Sequence, residues 1–293
     1  MSIKDHAMLV SLSVNKPQMT QKDSKATSDA ELANNAHGAG QYRKDLYPKS
    51  LVQPILTVES AARAYIESTT YMWNRGDYLL PASRFMEFAE RMSKFEVEFN
   101  QTVTAFLNNW SNVMMRAQES QGALFNADAY PDLTEMRQDF RFRVLYRPVT
   151  DASDFRVQIQ QEELDSLKAQ VESATKESMN AMLRSPLARL KEVVAKLHDV
   201  TGRDDRAVIN KRTGIETIKP PIFRDSVCEN IAEEIALLRD FAEMLPDNVM
   251  DLANSIVNVL PKPQELRDNP DRRMQVNVQS AALLDSINAL LED

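Results

Sequence analysis

Between Pro81 and about Thr201 the chain has the pattern helix, ribbon, helix. Phe85, Phe88, Met92, Phe95, Phe99, Val103, Phe106, Trp110 and Met114 recur at steps of three and four, the spacing of one apolar helix face. Pro81 suits the first turn of that helix, where its missing N–H is not needed, and Gly122 suits its end. A continuous helix of this length would span roughly 60 Å. Phe140 to Arg147 then alternates as a strand does, and Pro148 marks its edge. Thr150-Asp151-Ala152-Ser153-Asp154 is turn chemistry, and Phe155-Arg156-Val157-Gln158-Ile159 is the returning strand. A second long helix begins near Gln160, with Leu164, Leu167, Val171, Met182, Leu187, Leu190, Val194 and Leu197 as core candidates. Ser185-Pro186 predicts a break or kink within it.

The rest of the chain supports the same class. It holds only 6 glycines in 293 residues, where average usage would give about 20. Sheet-rich and phosphate-cradling folds need glycine at turns and close backbone approaches. The expected fold is therefore mostly α: an elongated helical bundle with two long helices joined through a short β-ribbon, and a minor N-terminal strand at Val10, Leu12 and Val14. Residues 1–49 are that strand and a flexible polar arm, in which Ser28-Asp29-Ala30-Glu31 can cap a short helix. Residues 50–200 are the bundle, opening with a helix over 50–72 and a turn at Asn74-Arg75-Gly76-Asp77, with the ribbon at about 140–159. Residues 201–222 are a linker. Residues 223–293 are a C-terminal helical region packing on the bundle, divided by Pro246 and by Pro261-Lys262-Pro263.

Charge and composition narrow the chemistry. The formal net charge is −8, whereas general nucleic-acid coat proteins need cations for phosphate neutralisation. Cys228 is the single cysteine, so no intrachain disulfide forms, which suits a reducing cytoplasm. No run of about 18 apolar residues is present, so no membrane span is expected. The first residues lack the apolar centre of a signal peptide. There is no Gly-Lys-Ser/Thr phosphate loop, no G-x-G-x-x-G and no nucleophile elbow. His6, His37 and His198 are too far apart in sequence for a zinc ligand pattern. His198 is read as a surface or capping histidine. The carboxylate pairs Glu162-Glu163, Asp204-Asp205 and Glu233-Glu234 are read as solvated faces. No cofactor, metal or catalytic residue is assigned, and the chain is expected to be non-enzymatic.

The ribbon carries the functional expectation. Period two places Phe140, Phe142, Val144 and Tyr146 on one face and Arg141, Arg143 and Arg147 on the other, with Leu145 between them. Arg137 and Arg156 lie nearby in sequence, and Lys211-Arg212 adds a second basic step in the linker. These seven residues are the candidate contact set. Single-stranded nucleic acid is gripped by cations along its phosphates and aromatic faces under its bases. Here the two chemistries point to opposite faces, which favours a charged contact with a protein partner over base stacking; the arginine row also reads as plain surface, paired with Asp151, Asp154 and the glutamates that follow. Single-stranded nucleic acid is the alternative ligand. The aromatic stripe of the first long helix is assigned to core. Self-association through the long helices stays open.

Several clusters together resemble an uncharacterised family of bacterial and bacteriophage proteins. They are Trp73-x-x-Gly76 leading to Leu79-Leu80-Pro81, Leu124-Phe125-Asn126 with Tyr130-Pro131, and Asp154-Phe155-Arg156-Val157 after Pro148. The resemblance covers about residues 8–200 and is clearest from 70 to 160. Some members of that family are encoded beside MoxR-type AAA+ ATPases and von Willebrand A-domain proteins. The resemblance thus implies a phage-encoded helical scaffold in the host cytoplasm, a partner of an ATP-driven remodelling complex. The alternative is a single-strand-binding protein of phage replication or recombination.

Overall fold

The computed structural model describes residues 3–149, 161–203, 206–209, 216–219 and 224–292; of 161–164, 206–209 and 216–219 it describes the backbone alone. From the N-terminus the elements are β1 (Ala7–Asn15), β2 (Thr20–Lys22), α1 (Ser24–Ala33), β3 (Arg43–Asp45), α2 (Lys49–Thr69), β4 (Tyr71–Asn74) and β5 (Asp77–Pro81). There follow α3 (Phe85–Asn108), α4 (Trp110–Gln121), α5 (Leu133–Asp139), β6 (Arg141–Pro148) and α6 (Gln161–Thr201). The remainder is β7 (Arg206–Ile209), β8 (Glu216–Lys219), α7 (Ser226–Asp240), α8 (Asp247–Val259), α9 (Pro263–Asp268) and α10 (Pro270–Glu292). The chain is mostly helical, as its glycine poverty implies, with small antiparallel strand pairings. One sheet has the order β4-β5-β1-β6; β2 pairs with β3, and β7 with β8. Among the described residues no helix is long and apolar enough to cross a membrane.

The chain divides into two compact units, each discontinuous in sequence. Residues 10–68 and 85–146 form the first, here the α3 unit. Its core is the predicted aromatic stripe. Phe88, Met92, Phe95, Phe99, Val103 and Phe106 are all buried on one face of α3. Tyr65 of α2 stacks on Phe88 with ring centroids 5.6 Å apart. Phe99 meets Phe142 of β6 at 5.5 Å, and Phe106 meets Phe140 at 6.0 Å. Burying a side chain of this size stabilises by about 1.5–3 kcal/mol.

Three local expectations in and beside this unit are corrected. The first long helix is two helices, because Asn108-Asn109 interrupts it. Asn109 leaves helical geometry (φ −94°, ψ 18°), and its N–H is shared between the carbonyls of Ala105 and Phe106, each at 3.2 Å. Asparagine competes poorly for helix interiors. Pro81 does not start α3. It ends β5, which pairs back on β4 with Tyr71 opposite Leu79. Gly76, at φ +95°, permits that turn. Lastly, the polar stretch 15–41 is more than an arm. Asp23 caps α1 by accepting from the Ala26 N–H at 2.9 Å, five residues before the expected cap. The strand pairing of Thr20 with Asp45 and Lys22 with Arg43 closes the excursion.

Residues up to 9, 69–84 and from 147 onward form the second compact unit, here the α6 unit. Met182, Leu187, Leu190, Val194 and Leu197 of α6 are buried with Ile231, Ile235, Leu238, Leu252, Ile256, Val276 and Ile287 of α7, α8 and α10. Tyr71, Trp73 and Leu79 of the hairpin join this core. The expected break at Ser185-Pro186 does not occur, and α6 runs through Pro186. Proline there removes one backbone hydrogen bond. The burial of Met182, Leu187 and Leu190, each at most 3% exposed, outweighs that loss. The returning strand expected at 155–159 and most of the expected linker lie outside the described residues.

Candidate functional site

β6 ends the sheet order, so among the described residues it has a strand neighbour on one side only. Its residues 141–146 belong to the α3 unit. The predicted alternation holds in its first half: Phe142 is buried, while Arg141 and Arg143 are exposed. It fades toward the end, where Leu145 and Tyr146 are 42% and 37% exposed. Tyr146 rests edge-on against Phe85, centroids 5.3 Å apart, and Phe88 at 6.4 Å. Burial raises its hydroxyl above the ordinary tyrosine pKa, and the neighbouring Tyr65 adds to this.

A groove of about 520 Å³ runs between β6 and the flank of α3. Met92, Phe142, Val144 and Tyr146 supply its apolar lining. Ala89, Ser93, Glu96 and Asn100 form the helical wall, and Arg141 and Arg143 stand at the strand side. The wall residues recur at steps of four, three and four, each one position after Phe88, Met92, Phe95 and Phe99. Small side chains at 89 and 93 leave the space that larger ones would fill. Sequence reasoning assigned this helix to core alone and missed these four residues. The signal was the second stripe, small and polar, displaced by one from the aromatic one.

Arg141 also borders a second hollow of about 520 Å³ with Val14, Lys16, Met19, Gln138 and Asp139. Its Nε donates to the Gln138 carbonyl at 2.9 Å, which fixes the side chain without neutralising it. Arg143 has no ion-pair or hydrogen-bond partner among the described residues, and neither has Arg137, exposed in the last turn of α5. Arg141 and Arg143 stand at the start of the edge strand, and Arg137 lies on the helix that leads into it. Arg147 differs: it is paired with Asp77 in the α6 unit. Arg156, Lys211 and Arg212 lie outside the described residues.

No family model, curated protein or solved structure matches this chain. The site is therefore judged on its own chemistry. Phe140 and Phe142, each 7% exposed, are spent on Phe99 and Phe106 and offer no face to a base. Among the described residues, what stays open is a strand edge without a neighbouring strand, an apolar trough and two exposed guanidinium groups. That combination can hold an extended, anionic chain.

The other titratable clusters among the described residues are structural; Asp204-Asp205 and the side chains of Glu162-Glu163 lie outside them. Among the described residues no group of three or more His, Cys, Asp and Glu side chains is placed to hold a metal ion. Of the Glu233-Glu234 pair, Glu233 is exposed, while Glu234 is turned to Tyr71 and Arg189. His198 closes the end of α6 against α10: its Nδ1 lies 3.0 Å from the Asn277 carbonyl and 3.2 Å from Ser280 Oγ. Lys16 and Arg63 both pair with Glu59, and Lys44 donates to the Leu124 carbonyl at 2.5 Å.

Proposed function

We propose that this chain is a non-enzymatic helical interaction protein that takes a protein partner at the exposed start of β6. The observation that carries the reading is Arg143, an exposed guanidinium beside an apolar groove with no partner among the described residues. Charged groups at such a rim steer encounter and select partners by sign. The family resemblance extends the proposal: a phage-encoded cytoplasmic scaffold, its long helices as rigid members, acting beside an ATP-driven remodelling complex.

A photo-crosslinking amino acid in place of Leu145, 42% exposed on the same strand, leaves Arg143 intact and tests the reading in the host cell. The expected product is a discrete protein adduct that Arg141→Glu in the same chain suppresses. Adducts to nucleic acid, or none at all, overturn it.

Arg137, Arg141 and Arg143, none of them ion-paired among the described residues, also favour a second reading, single-stranded nucleic-acid binding. That reading requires a gel shift with single-stranded DNA that weakens steeply with salt. The absence of a shift at low salt defeats it.

A further inference from the structure

We propose that the edge of β6 that has no strand neighbour among the described residues binds an extended acidic peptide segment as an added strand, its alternate side chains seated in the groove against α3. This rests on the protein-partner reading above and specifies how the partner is held.

The strand edge comes first. Because β6 is the last strand of its sheet, every second residue turns its N–H and C=O away from β1. Unpaired edges of this kind are templates for another chain. Natural edges are blunted by an overlying element, a bulge or an inward charge. Here the flank of α3 stands off instead, and the space between is the 520 Å³ groove. An edge strand beside a helix with a trough between them is the geometry of strand addition, in which backbone bonds supply affinity and alternate side chains supply selectivity.

The side-chain chemistry then specifies the occupant. An added strand alternates its side chains between two faces. One row falls on the side of Phe142, Val144 and Tyr146, where Met92 and Ala89 complete an apolar seat. The other row falls on the side of Arg141 and Arg143, which are exposed and have no carboxylate partner among the described residues. Apolar and acidic residues in alternation match both rows. Glu96 lies on the helical wall, so it does not neutralise the arginine row. A second copy of β6 would bring arginines against arginines, and like charges placed opposite each other are unfavourable. A nucleic acid would satisfy the guanidinium groups but has no use for the outward amides or for the apolar seat.

The test uses the purified full-length chain and a fluorescein-labelled eight-residue peptide of alternating valine and glutamate, followed by anisotropy. Saturable binding is expected, with the alternating valine–lysine peptide weaker by at least about tenfold. Two further peptides are N-methylated, one at every valine and one at every glutamate. One of the two is expected to lose at least about tenfold in affinity, since its methyl groups occupy the bonding edge. Ser93→Tyr fills the trough from an exposed helical position and is expected to abolish binding while the circular dichroism spectrum stays unchanged. Arg141→Glu with Arg143→Glu is expected to reverse the preference toward the lysine peptide.

The proposal is overturned if both methylated peptides bind like the parent, if the lysine peptide binds as well as the glutamate one, or if Ser93→Tyr binds normally. Displacement of the peptide by an oligothymidine assigns the surface to nucleic acid and overturns both the strand-addition model and the protein-partner reading. A protein adduct from position 145 together with no peptide binding overturns strand addition alone and leaves the protein-partner reading standing.

Discussion

The Tyr71 hydroxyl donates to Glu234 Oε1 at 3.3 Å, inside the core of the α6 unit. Arg189 completes the group: its Nη1 is 3.7 Å from Glu234 Oε2, its Nη2 donates to the Thr70 carbonyl at 3.0 Å, and its guanidinium stands 5.2 Å from the Tyr71 ring centre. Burial pushes the Glu234 pKa above its ordinary 4.5, and Arg189 and Tyr71 pull it only part of the way back. A carboxyl raised on folding binds its proton more tightly in the native state than in the unfolded chain. Its contribution to stability is therefore greatest below 4.5 and declines as pH rises through the folded value. Urea unfolding of Glu234→Gln and the parent across this range is expected to show a falling stability difference that only the parent's titration explains. Parallel pH profiles would remove Glu234 as its source.

Glu59 in the α3 unit has the opposite sign. Burial raises its pKa, but hydrogen bonds from Lys16 and Arg63 outweigh burial and leave it below 4.5. Its contribution is present above 4.5 and is lost as pH falls through the lowered folded value. Glu59→Gln is expected to lower stability at neutral pH by about 1–3 kcal/mol, since the Lys16 ammonium loses its carboxylate. The gap between parent and variant should close on acidification, as followed by denaturant midpoints. A gap that widens toward acid would contradict this assignment.

The contrast between these carboxyls shows what the sequence could carry. The apolar stripe of α3 was legible because one period repeats over many residues, and burial follows it from Phe88 to Phe106. The faces of β6 were legible for the same reason through Phe142 and Arg143. The sheet was not. β1, the β4–β5 hairpin and β6 are separated by long stretches of chain, and no local pattern states which strand is an edge. Pro81 misled because proline favours both a helix start and a strand end, and only pairing with β4 decides between them. Glu234 looked like half of a solvated acidic pair because Tyr71 and Arg189 are far from it in sequence. The groove wall was hidden by its neighbours: a stripe of small and polar residues has meaning only once β6 lies beside it.

The end of α6 depends on a close approach. A Cβ on Gly202 would stand 3.0 Å from Asn277 Nδ2 and 3.3 Å from the His198 carbonyl. The same Nδ2 donates to that carbonyl at 2.7 Å and to Thr201 Oγ1 at 3.2 Å. Gly202→Ala is thus expected to displace the Asn277 amide and reduce stability by about 1 kcal/mol. Asn277→Ala should produce a similar loss, and the double variant should lose less than the sum, because both changes break one set of bonds. Additive thermal-unfolding energies would show that the two residues act separately.

Neighbouring residues of β6 should respond to truncation in opposite ways. Phe142, 7% exposed, packs against Phe99 in the core of the α3 unit, and Phe142→Ala is expected to cost about 3–5 kcal/mol by opening a cavity there. Arg143 has no hydrogen-bond or ion-pair partner among the described residues, and removing an exposed side chain of this kind usually leaves stability nearly unchanged. Arg143→Ala should therefore unfold at the parent's denaturant midpoint, while Phe142→Ala unfolds earlier. The pair separates architecture from recognition: a residue whose loss leaves the fold intact but removes binding belongs to the contact surface. If Arg143→Ala instead destabilised the chain as Phe142→Ala does, the arginine would be a structural member of the strand, and the basic edge would lose its claim to function.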